Sequence, residues 1–314
     1  MKRKIVFTFY ACFAAFLYAL NIPISKMLSD KSGAVMTAGF LYLGAGVGLF
    51  IYGAIARLFK VKAKTEKLNK SDLPFVIGMV VLDIIAPILL MLGIRQTTAS
   101  SASLLNNFEI VATTLIALLI FKEKVSFKLW IAIILVVISG IILSLDGVES
   151  FTFNGGSLLV LGACVCWGFE NNCTRKISNK SATEIVVIKG IFSGLGSLIV
   201  AFIVKEKLPS IQVVASIMLL GFVAYGLSIK FYITAQSELG ASKTSAYYSI
   251  APFVGVLLGV IFLSERPNVN FYVGLVVMIV ATVFMVIDTV KGQSNIDNLD
   301  TKEKENEVKR EQII

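Results

Sequence analysis

The chain of 314 residues contains no histidine at all. That absence removes the commonest general base and the commonest metal ligand. Cysteine cannot make up the loss. Cys12, Cys164, Cys166 and Cys173 all lie in apolar runs, and a Cys-x-Cys pair alone is a weak metal signal. They read as reduced, buried small hydrophobes. No glycine loop of the phosphate-binding kind is present, which speaks against an ATP-driven machine or a nucleotide enzyme. No metal or cofactor is expected. Charge is scarce too, at 16% of residues against 56% hydrophobic, and mean hydropathy is +0.83.

What the chain does have is long apolar runs, many exceeding the roughly 18 residues that mark a bilayer-crossing helix. Ten are expected: 5–27, 35–58, 75–94, 99–121, 129–145, 156–177, 185–204, 213–235, 241–263 and 271–290. They are too continuously apolar for the alternating strands of a barrel, and lipid leaves no other way to satisfy the backbone. The fold class is therefore an all-α integral membrane protein. The first run follows Lys2, Arg3 and Lys4 like a signal peptide, but it continues past Pro23 and a matching segment recurs later, so it reads as a retained helix. Residues 291–314 form a polar, highly charged tail.

Short-loop basic residues set orientation. Lys2, Arg3 and Lys4, the cluster from Arg57 to Lys70, then Lys122, Lys124, Lys128, Arg175, Lys176, Lys180 and Lys243 fall on one face. Lys26, Lys31, Arg95, Lys205, Lys207 and Arg266 fall on the other. Both termini are expected in the cytoplasm. The net charge of +9 reads as this bias and as attraction to lipid, not as a nucleic-acid signal.

The sequence also repeats. A shift of 142 residues lays "ASSASLLNNFEIVATTLIALLIFKEKVSFKLW" over "ASKTSAYYSIAPFVGVLLGVIFLSERPNVNFY", pairing Ala99 with Ala241, Ser103 with Ser245 and Glu123 with Glu265. A shift of 149 pairs "YALNIPISK" with "WGFENNCTR". The domains are then 1–148, 149–290 and the tail 291–314. Each repeat holds five spans, an odd number, so the two would enter the membrane in opposite orientation. Two inverted five-helix repeats are the architecture of a carrier that alternates access to a central site.

Ten spans in two such repeats, with "LLIFKEK" and "GVIFLSER" closing the fourth span of each, resemble the EamA family of the drug/metabolite transporter superfamily. The resemblance covers about Ile5 to Val290. It implies export of amino acids, other small metabolites or drugs from a bacterial cytoplasm. Pro252 in "SIAPFVG" follows the family pattern, whereas the paired position of the first repeat is Ile110.

Polar residues inside the spans are the candidate substrate and coupling groups. Asn106, Glu109 and Thr113 fall on one face of the fourth span at helical spacing. Ser and Thr there serve equally as packing glue. A carboxylate near mid-bilayer costs about 2.5–3.5 kcal/mol on insertion scales, so Glu109 is expected to meet water, a partner or a substrate. Glu170 in "CWGFENNCTRK" could join it or pair with nearby Arg175 and Lys176. Lys189 could pair with Glu109 or Glu170, or snorkel to the surface. Asp83 lies one turn before Pro87, which frees its carbonyl, so this is either a proton or cation site or a plain kink. Trp167 and Tyr248 could stack on a substrate, or simply pack.

Two functions stay open: a secondary exporter of amino acids or other small metabolites in the bacterial cytoplasmic membrane, or a non-transporting membrane scaffold or intramembrane enzyme. The expected partners are a small-molecule substrate, a coupling proton or cation, membrane lipid and a second copy of the chain as a homodimer. Nucleic acid is not among them.

Overall fold

The computed structural model describes residues 2–58, 68–121, 126–145, 154–177, 180–239, 244 and 247–288. The expected polar tail, and the boundary at 148, lie outside the described residues. Among the described residues every regular element is helical: α1 (Lys2–Ala19), α2 (Asn21–Ser29), α3 (Ala34–Leu58), α4 (Leu73–Gln96), α5 (Ala99–Leu105), α6 (Phe108–Phe121) and α7 (Phe127–Ser144). Then come α8 (Gly155–Lys176), α9 (Ala182–Ile203), α10 (Ile211–Gly221), a π-helical stretch Phe222–Leu227 and α11 (Ser228–Leu239). The order ends with α12 (Ala251–Leu263) and α13 (Val269–Asp288).

Helix starts are closed by short polar side chains that accept orphan backbone amides. Thr98 accepts from Ser101 N (3.0 Å), Ser126 from Leu129 N (3.1 Å) and Asn154 from Ser157 N (3.1 Å). Two starts are closed from afar instead. Glu206 accepts from Val35 N and Met36 N at the head of α3, and Glu265 from Ala99 N and Ser100 N at the head of α5. These carboxylates sit where the helix dipole favours negative charge, and they tie loops to helices far away in the chain.

Among the described residues, eight helical segments are long and apolar enough to cross a bilayer by length and composition. Of the ten expected, α8 is diluted by Glu170, Asn171, Asn172, Arg175 and Lys176, and α12 covers 13 described residues, about 20 Å. Large apolar side chains point outward, such as Leu119 at 76% and Ile211 at 74% exposure, as lipid-facing residues must.

Glycine lets the central helices touch. A methyl on Gly190 of α9 would lie 2.5 Å from Gly46 N and 2.7 Å from Tyr42 O, so α9 and α3 meet backbone to backbone. That approach brings Lys189 of α9 and Tyr42 of α3 to the same depth. α4 packs on α8 in a similar way, with Gly93 against Gly156.

Candidate functional site

At the centre, Lys189 Nζ lies 3.0 Å from Asp83 Oδ2 and 3.0 Å from Glu170 Oε1. Asp83 is 0% and Glu170 1% exposed. Their desolvation is tolerable only because the ammonium stands between them. Tyr42 OH donates to Asp83 Oδ1 (3.0 Å), and Trp167 Nε1 donates to Tyr42 OH (3.2 Å). Thr174 Oγ1 donates to Glu170 Oε1. Asp83 Oδ2 is thus held by the Lys189 ammonium alone, and Oδ1 by Tyr42.

Four helices supply this group: α3, α4, α8 and α9. Lys189 turns inward and does not snorkel, because two carboxylates wait for it in the interior. Glu170 joins the same ammonium. Asp83 stands in an α4 that runs unbroken through Pro87.

The second group surrounds Glu109. Asn171 Nδ2 donates to Glu109 Oε1 (2.8 Å) and to Thr113 Oγ1 (3.1 Å), while Asn172 Nδ2 donates to Thr113 O (3.1 Å). Glu109 and Thr113 thus share one amide on α8. Asn106 does not share their face. The expected continuous fourth span is interrupted at Asn106 and Asn107, where tight i→i−3 bonds replace the α ladder, and Asn106 Nδ2 turns to Tyr18 OH (3.2 Å). The interruption needs no proline. Two adjacent asparagines, poor helix formers, occupy the turn, and Glu109 and Ile110 amides close it onto their carbonyls.

A third group is aromatic. Tyr18 meets Tyr225 at 5.9 Å and Tyr248 at 5.7 Å, Tyr42 meets Tyr225 at 5.4 Å, and Tyr232 meets Tyr248 at 5.0 Å. Asn21 Nδ2 donates to Tyr225 OH (2.9 Å), and Tyr248 OH bonds Ser228 Oγ (3.1 Å). Each of three tyrosines sits at a helical irregularity: Tyr18 before the α1–α2 break, Tyr225 in the π-helical turn, and Tyr248 before the turn that opens α12 at Pro252. Sequence reasoning missed Tyr42, Asn21, Ser228 and the π-helix. A tyrosine in an apolar run reads as an interfacial anchor, and no residue pattern announces a π-turn.

Two cavities matter. A recess of about 350 Å³ lies among Arg95, Thr97, Asn154 and Asn268 at the helix ends, and no carboxylate lines it. The other, about 20 Å³, lies in the interior between Tyr18, Ser103, Asn106 and Pro252. The smaller one lies where Asn106 bonds Tyr18, and it has room for about one water.

The EamA-like transporter family model matches residues 6–145 and 154–287, which is most of the chain. The chain belongs to the EamA-like transporter family. Relatives of this EamA-like protein carry the name "Uncharacterized transporter". One from Methanothermobacter thermautotrophicus is 23% identical over 80% of this chain and 78% of its own. One from Clostridium kluyveri is 24% identical over 90% and 93%. "Uncharacterized transporter YyaM" of Bacillus subtilis is 24% identical over 76% and 81%. A solved crystal structure, 12% identical, superposes with a TM-score of 0.65 over 90% of this chain and 97% of its own, which supports the fold. The EamA-like chain is thus a membrane transporter and not an enzyme.

Proposed function

We propose that this EamA-like transporter is a secondary active exporter of amino acids or other small metabolites in the bacterial cytoplasmic membrane. It has ten spans in two inverted five-helix repeats, 1–148 and 149–290, with both termini cytoplasmic. It works by alternating access around a central site built from Asp83, Glu109, Glu170, Lys189, Asn106, Thr113, Trp167 and Tyr248, with a proton or cation coupled to substrate. Lipid surrounds it, and a homodimer is its proposed assembly.

The observation that carries this reading is the meeting of helix interruptions with buried charge. Irregular backbone inside a membrane protein is tolerated where it lines a cavity, and carriers place their substrates at such broken helices. Here the break at Asn106–Asn107 and the turn at Ser249–Ile250 stand about one repeat spacing apart, and their neighbours Asn106 and Tyr248 both contact Tyr18. With no ATP-binding motif in the sequence, gradients or exchange must drive the cycle.

Counterflow tests it. Proteoliposomes preloaded with members of a metabolite panel should take up the matching labelled compound transiently against its gradient, and empty liposomes should not. Folded protein that gives no counterflow across amino acids, amines, sugars and organic acids would overturn the proposal.

A further inference from the structure

Glu265 reaches from the end of α12 onto the start of α5. Its Oε1 accepts from Ala99 N (2.6 Å), and its Oε2 accepts from Ser100 N (2.9 Å) and Ser100 Oγ (2.6 Å). Lys26 Nζ, near the end of α2, lies 3.5 Å from Oε1 and also donates to Thr97 O. Hydrogen bonds to an ionised group are the strong ones. Ser264, immediately before, stands at φ 51° and ψ 33°, a left-handed conformation that residues other than glycine rarely adopt. That turn folds Glu265 back onto α5, and such a backbone persists only where the contacts around it hold it.

The two helices joined here are the short pieces left by the interruptions. α5 ends after seven residues at Asn106–Asn107, and α12 begins at the turn before Pro252. They touch through small residues: a methyl on Gly259 would lie 2.8 Å from Ser100 Oγ, and one on Gly255 would lie 2.7 Å from Ser103 Oγ. Ser103, Asn106, Pro252 and Gly255 line the interior cavity of about 20 Å³. The Gly259–Ser100 contact and Glu265 lie further along the same two helices, so they close the cavity toward that end of the bundle. Glu206 offers a comparison. It follows Lys205 at φ 60° and caps Val35 N (3.2 Å) and Met36 N (2.8 Å) in the same manner. Yet α3 is an unbroken helix of 25 residues packed on α9, from Gly39 beside Leu198 to Gly46 against Gly190. That cap ends a helix already fixed along its length.

We propose that Glu265 is the lock of a gate: its carboxylate, seated on the start of α5 and paired with Lys26, holds α5 and α12 together over the interior cavity, and that end of the bundle opens when it lets go. Glu265 is then a positioning residue for transport and touches no substrate itself. The inference deepens the alternating-access reading above and rests on it for the part the gate plays in transport.

The test reads access to the cavity and needs no substrate. Ser103→Cys, in full-length protein whose Cys12, Cys164, Cys166 and Cys173 are replaced by alanine, puts a thiol at the cavity without breaking a hydrogen bond, since Ser103 Oγ makes none. Its reaction with an impermeant maleimide is timed in intact cells and in inside-out vesicles, beside the melting temperature of each purified protein. With Glu265 in place the reaction should be slow from the Glu265 side. Glu265→Gln should speed it about tenfold at that side alone, since a hydrogen bond to a charged group shifts a two-state balance by about that factor. Lys26→Gln, which leaves the helix cap in place and so guards against a folding defect, should speed it by less. Glu206→Gln should lower the melting temperature and leave the labelling rate as it was. Unchanged labelling in both Glu265→Gln and Lys26→Gln, or an equal rise in Glu206→Gln, overturns the lock. A rise confined to the cytoplasmic side keeps the lock and overturns the orientation proposed above. Labelling as expected in a protein that gives no counterflow keeps the lock and overturns the transport reading.

Discussion

Lys189 holds two acids that would otherwise repel each other. Lys189→Met leaves the buried Asp83 and Glu170 carboxylates without their ammonium. Breaking a buried ion pair costs about 3–5 kcal/mol, so the melting temperature of the purified variant should fall steeply. Asp83→Asn and Glu170→Gln added to it should restore most of the loss, since no unpaired charge then remains. A Lys189→Met protein as stable as the wild type would mean that the triad carries no net interaction. Charged residues in apolar runs are conspicuous, so Asp83, Glu109, Glu170 and Lys189 were legible in the sequence. Of their partners, the pairing of Lys189 with Glu170 was one of the readings open there, and the contact with Asp83 was not. Helical spacing places Asn106 with Glu109, but the ladder breaks between them and sends Asn106 to Tyr18. The contact of Lys189 with Asp83 joins residues 106 positions apart through packing of three helices, which periodicity does not encode.

At the scale of elements, the site depends on how closely α3 and α9 approach. A methyl on Gly190 would meet only backbone, Gly46 N at 2.5 Å and Gly46 Cα at 2.6 Å, and backbone cannot turn aside. Gly190→Ala should therefore lower thermal stability by about 1–3 kcal/mol, the usual cost of overpacking. Gly53→Ala, whose methyl would meet Thr183 Cγ2 at an ordinary 3.7 Å, should leave the melting temperature unchanged. Equal melting curves for the two variants would contradict the close approach. The existence and rough limits of most spans could be read from apolar runs, because lipid imposes one length on them all. Interruptions are harder to read. Pro252 does announce the start of α12, but the α5–α6 break has no proline, and the π-turn carries Tyr225 into contacts with Asn21 and Tyr42 that lie far away in the chain.

For the whole molecule, the proposed inverted halves make a topological prediction. Single cysteines introduced between Lys60 and Lys70 should react with an impermeant maleimide only from the cytoplasmic side of the membrane, and those near Phe151 only from the outside. The reverse pattern would overturn the basic-loop orientation. Legibility was greatest at this scale, since the motifs that close the apolar runs resemble the family whose model matches residues 6–145 and 154–287. The central claim is that the buried charges at the helix interruptions form the transport site, and Glu109→Gln tests it most directly. Glutamine keeps the size of the side chain and can still hydrogen-bond Asn171, while removing the titratable charge. Flux should be measured across the pH range in proteoliposomes, beside the melting temperature of the same preparation. The account predicts a near-normal melting temperature with flux, or its pH dependence, largely lost; wild-type flux at every pH would contradict it.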